Sequence, residues 1–114
     1  ELVRGMTEVD VTAAIVRRLL IHSAGNFLSI SEVAEQLHVT ERTLRRRLAA
    51  EGTDFRTIFD DIMNTLGQYY LRGTALSVVE IADLLNYAEA TNFHRAFQRW
   101  NSTTPADYRQ QASP

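Results

Sequence analysis

Residues 29–52 read SISEVAEQLHVTERTLRRRLAAEG, and their spacing predicts two short helices joined by a tight turn. Ser29 and Glu32 form a capping box, in which the hydroxyl takes an orphan N–H and the carboxylate reaches back to the cap. Val33, Ala34 and Leu37 follow at helical spacing. His38 then occupies the turn. Gly is easiest where φ must be positive, and His belongs to the non-Gly residues enriched there. Thr40 suits the N-cap of a second helix from Glu41 to Glu51, and Gly52 its C-terminal stop. Leu44 and Leu48 set the inward direction of that helix. Advancing about 100° per residue puts Arg42 and Arg46 opposite them, Thr43 and Arg45 on the shoulders, and Arg47 nearer the core flank.

The pattern occurs twice. Ser29, Glu32, Val33, Ala34, Leu37 and Val39 match Ser77, Glu80, Ile81, Ala82, Leu85 and Tyr87 at an offset of 48. Leu44 and Leu48 match Phe93 and Phe97 at 49, so the second copy has one extra residue near its turn at Asn86. Between the copies Asp54 caps a long helix from Phe55 to about Leu71. Its apolar positions are Phe55, Ile58, Phe59, Ile62, Leu66, Tyr69 and Tyr70. Gly67 inside it costs roughly 1 kcal/mol relative to Ala, and close packing is the one reason the sequence offers.

Upstream, Thr7 and Asp10 look like a capping box before a helix with an apolar stripe at Val11, Ala14, Ile15 and Leu19, stopped at Gly25-Asn26. Downstream, Thr104-Pro105-x-Asp107 opens a last short helix. No segment alternates with the period of a strand. The expected fold is all-α and homeodomain-like, with about seven helices. It has two helix-turn-helix subdomains, at about 8–53 and 73–112, around a linker helix at 54–72.

Composition narrows the function. The 114 residues are 45% hydrophobic, ordinary for a globular core, and include no cysteine. That removes disulfides, Cys-ligated zinc and thiol nucleophiles together. His22, His38 and His94 lack metal-ligand spacing. Glu80 and Asp83 are better explained by capping and solvation than as an acid/base pair. No enzymatic activity, metal or cofactor is expected. No transmembrane run or N-terminal leader is visible. A cytoplasmic, nucleoid-associated protein is expected, and a chain opening at Glu1 reads as a fragment of a larger one.

The net charge of −2 speaks against a nucleic-acid partner. So does a pI near 5.9, since a pI above about 9 is the usual footprint. Distribution outweighs the sum, because local sign decides what a surface attracts. All twelve basic residues are Arg, and four lie within positions 42–47. Double-stranded DNA is therefore the expected partner. Arg42, Arg45 and Arg46 are expected on the groove floor, where the guanidinium fork bonds guanine O6 and N7 together. Arg47 holds a phosphate or an acid such as Glu51.

In the second copy Phe93 and Phe97 point in, so Thr91 and Arg95 point out, with His94 and Gln98 beside them. Arg95 is the best base-contact candidate, and Thr91 touches a thymine methyl or caps its helix. N–H groups at the helix starts near Ser29, Thr53 and Ser77 offer phosphate sites, with Thr40 and Arg99 as further backbone contacts. Phe93, Phe97, Trp100, Tyr69 and Tyr70 are expected in the core. The linker is roughly 25 Å long, so the two second helices sit about 34 Å apart, one turn of B-DNA. The alternative is a solvated arginine face on a protein-interaction module that keeps the fold and binds DNA weakly.

Two stretches carry a family resemblance. IADLLNYAEATNFHRAFQRWNSTTPADYR, residues 81–109, has an Ile-Ala start, a Phe-x-x-x-Phe recognition helix and a Pro-x-x-Tyr-Arg end. VAEQLHVTERTLRRRLAAEGTDF, residues 33–55, matches the first half. The chain resembles the C-terminal DNA-binding domain of AraC/XylS transcription regulators over about Glu8 to Arg109. The resemblance implies seven helices, DNA binding and often activation, with RNA polymerase as a candidate partner. A separate effector or dimerisation domain would lie elsewhere in the full-length protein. It also implies recognition positions at Arg42, Thr43, Arg45 and Arg46 and at Ala90, Thr91, His94 and Arg95. Asn86 and Ser102 stand where the family has Gly, Gly67 replaces its Ala, and Met63 sits where members carry Arg.

Overall fold

The computed structural model describes residues 11–112. The expected capping box at Thr7 and Asp10 lies outside them. The described chain is helical throughout: α1 (Val11–His22), α2 (Ile30–Gln36), α3 (Glu41–Ala50), α4 (Phe55–Gly73), α5 (Val78–Leu84), α6 (Ala90–Asn101) and α7 (Pro105–Ala112). None of these helices is long and apolar enough to cross a membrane. The chain divides into two compact units, Glu1–Ile62 and Met63–Pro114. The division falls inside α4, which runs two residues beyond its expected end.

The repeat in the sequence is a repeat in the backbone. Ser29 Oγ accepts the Glu32 N–H at 3.1 Å while the Ser29 N–H donates to Glu32 Oε1 at 2.8 Å. Ser77 and Glu80 do the same at 3.0 and 2.8 Å. The turns match too: His38 has φ 59° and Asn86 φ 67°. The Val39 N–H donates to the Ala34 carbonyl at 3.0 Å, and the Tyr87 N–H to that of Ala82 at 2.9 Å. Thr40 caps α3 by accepting the Thr43 N–H, and Asp54 caps α4 through Thr57.

The Ser77 N–H and hydroxyl hold the Glu80 carboxyl below its ordinary value of 4.5. A depressed folded-state value contributes stability that is complete above the unfolded value and lost as pH falls through the folded one. Ser77→Ala is therefore expected to make the loss of stability below about pH 4.5 shallower, read as the urea midpoint across an acid titration. An unchanged acid limb would contradict it.

In the first unit Val16, Leu20, Val33, Ala34, Leu44, Leu48, Ile58 and Ile62 are buried. Here the expected α1 stripe is corrected. Val11, Ala14 and Ile15 are exposed and Leu19 is half-buried, while Val16 and Leu20 face the core. The helix is apolar almost all round, so spacing alone did not choose its face. A distant carboxylate helps to fix it: Glu51 accepts the Thr12 and Ala13 N–H groups at 3.1 and 2.8 Å. An anion there satisfies orphan donors and opposes the helix dipole.

In the second unit Met63, Leu71, Ile81, Ala82, Leu85, Phe93, Ala96 and Phe97 are buried. Gly67 acquires its reason: a Cβ there would lie 3.2 Å from Phe93 Cε1 and 3.3 Å from Cζ. Tyr69, expected in the core, is instead 58% exposed, stacked edge-on against Tyr70.

Arg109 from α7 donates Nε to the Leu71 carbonyl at 2.9 Å and Nη2 to that of Thr74 at 3.2 Å. It thus satisfies carbonyls at the end of α4. Ser102 ends α6 in the left-handed region at φ 58°, where Gly carries no Cβ penalty. Ser102→Gly is expected to raise stability by about 0.5–1 kcal/mol, measurable by denaturant unfolding, and a loss of stability would refute it.

Candidate nucleic-acid interface

The local fold presents α3 by its outer face. Leu44 and Leu48 are buried, while Arg42, Arg45, Arg46 and Arg47 are all exposed and Thr43 is half-buried. Thr43 is engaged on both sides of its side chain's base: its N–H donates to Thr40 Oγ1 and its hydroxyl accepts from that of Thr40 at 3.0 Å. Arg45 Nη2 pairs with Glu41 Oε1 at 2.8 Å one turn back. Among the described residues Arg42, Arg46 and Arg47 make no ion pair. Of the two partners offered for Arg47, Glu51 is not taken up: its oxygens accept the first N–H groups of α1 instead.

On α6 the buried residues are Phe93, Ala96 and Phe97. Thr91, His94, Arg95, Gln98 and Arg99 are exposed, and Ala90 is half-buried. Thr91 is not a cap: the N-cap is Glu89, whose side chain makes no capping hydrogen bond. The exposed positions of each second helix therefore lie on the side away from its buried stripe.

At the helix starts expected to offer phosphate sites, the N–H groups of Ser29, Ser77 and Thr53 themselves are engaged within the fold. The Ser29 and Ser77 N–H groups donate to their own box carboxylates, and the Thr53 N–H donates to the Leu48 carbonyl at 3.0 Å. Each is occupied within the fold. A serine hydroxyl that accepts a capping bond still has its own proton to give, so Ser29 keeps a donor there, whereas the Ser77 hydroxyl is turned to Glu80.

The charge objection weakens once the acids are placed. Residues 11–112 carry eleven arginines and eleven acids, so the excess of two acids falls within the first ten residues. Sequence reasoning missed the polar ties that hold these helices, namely Glu51, Arg109 and a trio of amides. Asn101 Nδ2 donates to Asn64 Oδ1 at 2.8 Å and to the Phe97 carbonyl at 3.0 Å. Gln68 Nε2 donates to Asn101 Oδ1 at 2.8 Å. Asn64, Gln68 and Gly67 share one face of α4, and that spacing is the only signal that was available.

Known proteins share this arrangement. A family model described as a helix-turn-helix domain matches residues 33–111. The ornithine utilization regulator of Pseudomonas aeruginosa is 41% identical over 95 residues, which are 83% of this chain and 28% of that protein. The crystal structure of the transcriptional regulator CdpR from Pseudomonas aeruginosa superimposes with a TM-score of 0.82 at 40% identity, covering 87% of this chain and 31% of that one. An AraC-type DNA-binding domain protein from Chromobacterium violaceum has the same fold, with a TM-score of 0.82 at 20% identity over 89% of this chain and 91% of that one. The chain spans under a third of the ornithine utilization regulator. With the family model covering both helix-turn-helix units, the chain belongs to the AraC-type family of helix-turn-helix transcriptional regulators.

Proposed function

We propose that this domain binds double-stranded DNA sequence-specifically by laying α3 and α6 into two successive major grooves. The observation that carries the reading is the doubled unit itself. Each copy has a capped helix, a positive-φ turn and a second helix with a polar outer face. One chain then does what a dimer of single units does with two, whose half-sites lie about 10–10.5 bp apart.

Arg42, Thr43, Arg45 and Arg46 read bases in one half-site, and Ala90, Thr91, His94 and Arg95 in the other. Ser29, Thr40, Arg47, Thr53, Ser77, Gln98 and Arg99 contact the backbone, Ser29 through its hydroxyl proton. The subdomains run over about 8–53 and 73–112. The family resemblance supports activation in the cytoplasm, with RNA polymerase as a partner and an effector or dimerisation domain in the full-length protein.

Enrichment of bound duplexes from a random library tests this reading. A bipartite motif with that spacing is expected, with log affinity falling linearly against log salt concentration. No enrichment, together with affinity indifferent to salt, would replace it with the protein-interaction module.

A further inference from the structure

We infer that Asn64, Gln68 and Asn101 form a positioning network that sets the roll of α6 and thereby the discrimination made by the second half-site. The inference rests on the reading of α6 as a recognition helix. Three amides lie together between α4 and the last turn of α6. Asn101 gives its protons to Asn64 Oδ1 and the Phe97 carbonyl and takes one from Gln68. The Gln68 amide also lies 3.4 Å from Asn64 Oδ1. The amides are half-buried.

Beside them, Phe93 of α6 rests directly on the Gly67 backbone. Thus α6 has two attachments to one face of α4. The Gly67 seat is apolar, and apolar burial has no preferred direction of its own. The amide attachment is directional, because each hydrogen bond weakens steeply as its angle closes. Rolling α6 about its axis would turn the Asn101 bonds away from their preferred angles.

The side chains that would feel such a roll are Thr91, His94 and Arg95, all exposed on α6. A bidentate base contact is lost by displacements that a phosphate contact tolerates. The amides carry no charge, so they cannot act on DNA through long-range attraction. Their effect passes through geometry.

A merely structural role can be separated by experiment. Asn101→Leu is nearly isosteric and neutral, but it strands Asn64 and Gln68. Replacing both sides of a buried polar contact with apolar groups of similar shape is often near neutral in stability. The triple variant Asn64→Leu, Gln68→Leu, Asn101→Leu is therefore expected to regain the melting temperature that Asn101→Leu loses.

Binding is read with the 114-residue chain on the library-selected duplex and on the same duplex with its second half-site scrambled. The triple variant is expected to bind the intact duplex roughly fivefold to tenfold more weakly than wild type, the low end of one base contact. It should bind the scrambled duplex as wild type does. Recovery of both melting temperature and discrimination in the triple variant would overturn the inference, leaving the amides a structural role. A triple variant that stays unfolded would overturn it as well, since its loss would then be one of stability. Wild type indifferent to the second half-site would instead overturn the reading of α6 as a recognition helix, and the inference with it.

Discussion

Phe93→Ala is expected to lower unfolding stability by about 3–5 kcal/mol, the range for emptying an aromatic site in a packed core. Phe93 is fully buried. Its ring centroid lies 5.5 Å from that of Tyr87 and 5.8 Å from that of Phe97, and its edge rests on Gly67. Small domains hold only about 5–15 kcal/mol in total, so this one truncation removes a large part. Denaturant titration should show a lower midpoint with the slope unchanged. A cost under about 1 kcal/mol would contradict the packing described.

The same contact makes Gly67 and Phe93 energetically coupled. Gly67→Ala alone removes a helix penalty of about 1 kcal/mol, but it forces a buried ring to give way by a few tenths of an ångström. The two effects oppose, and the net change is expected to be small. In the Phe93→Ala background the obstruction is gone, and the full gain of about 1 kcal/mol should emerge. Additive behaviour would show that the ring does not constrain the helix.

Arg46→Ala is expected to weaken binding to the selected duplex by about 1–3 kcal/mol and to flatten preference at one base pair. It should change affinity for random duplexes much less. Arg46 lies opposite Leu44 and Leu48 and is exposed, with no acidic partner among the described residues. Its guanidinium therefore gives up no ion pair on entering a groove. Arg45 must release Glu41, but an exposed pair one helical turn apart is worth only about 0.3–0.5 kcal/mol. Arg47→Ala serves as the contrast. It should weaken all duplexes alike and reduce the salt slope by about one. Equal losses for Arg46→Ala on selected and random DNA would remove Arg46 from the base-reading set.

What the sequence revealed and what it hid divide by distance along the chain. The boxes at Ser29 and Ser77, the cap at Asp54 and the turns at His38 and Asn86 were legible. Each is made by residues within three or four positions, where spacing is geometry. The repeat was legible because two copies of one local pattern reinforce each other. Gly67 carried a visible cost and an invisible reason, because its partner Phe93 lies 26 residues on. The amide trio and the Arg109 contact were hidden likewise, since polar pairings between distant helices leave no period. The α1 face was misjudged for another reason. Val11, Ala13, Ala14, Ile15, Val16, Leu19, Leu20 and Ile21 surround that helix with apolar groups, and packing had to choose among several stripes.

The grip of Glu51 on the first turn of α1 also bears on the order of events as the chain folds. It joins residues 38 and 39 positions apart, so it forms only after the intervening chain has closed into a loop, at an entropic cost. The boxes at Ser29 and Ser77 close loops of three residues and need no such wait. A contact of this long-range kind is expected to form late in folding, after the loop has closed. Its removal is therefore expected to quicken unfolding while leaving the refolding rate almost untouched. Glu51 would then act as a latch, setting how long the first unit stays folded more than how fast it forms.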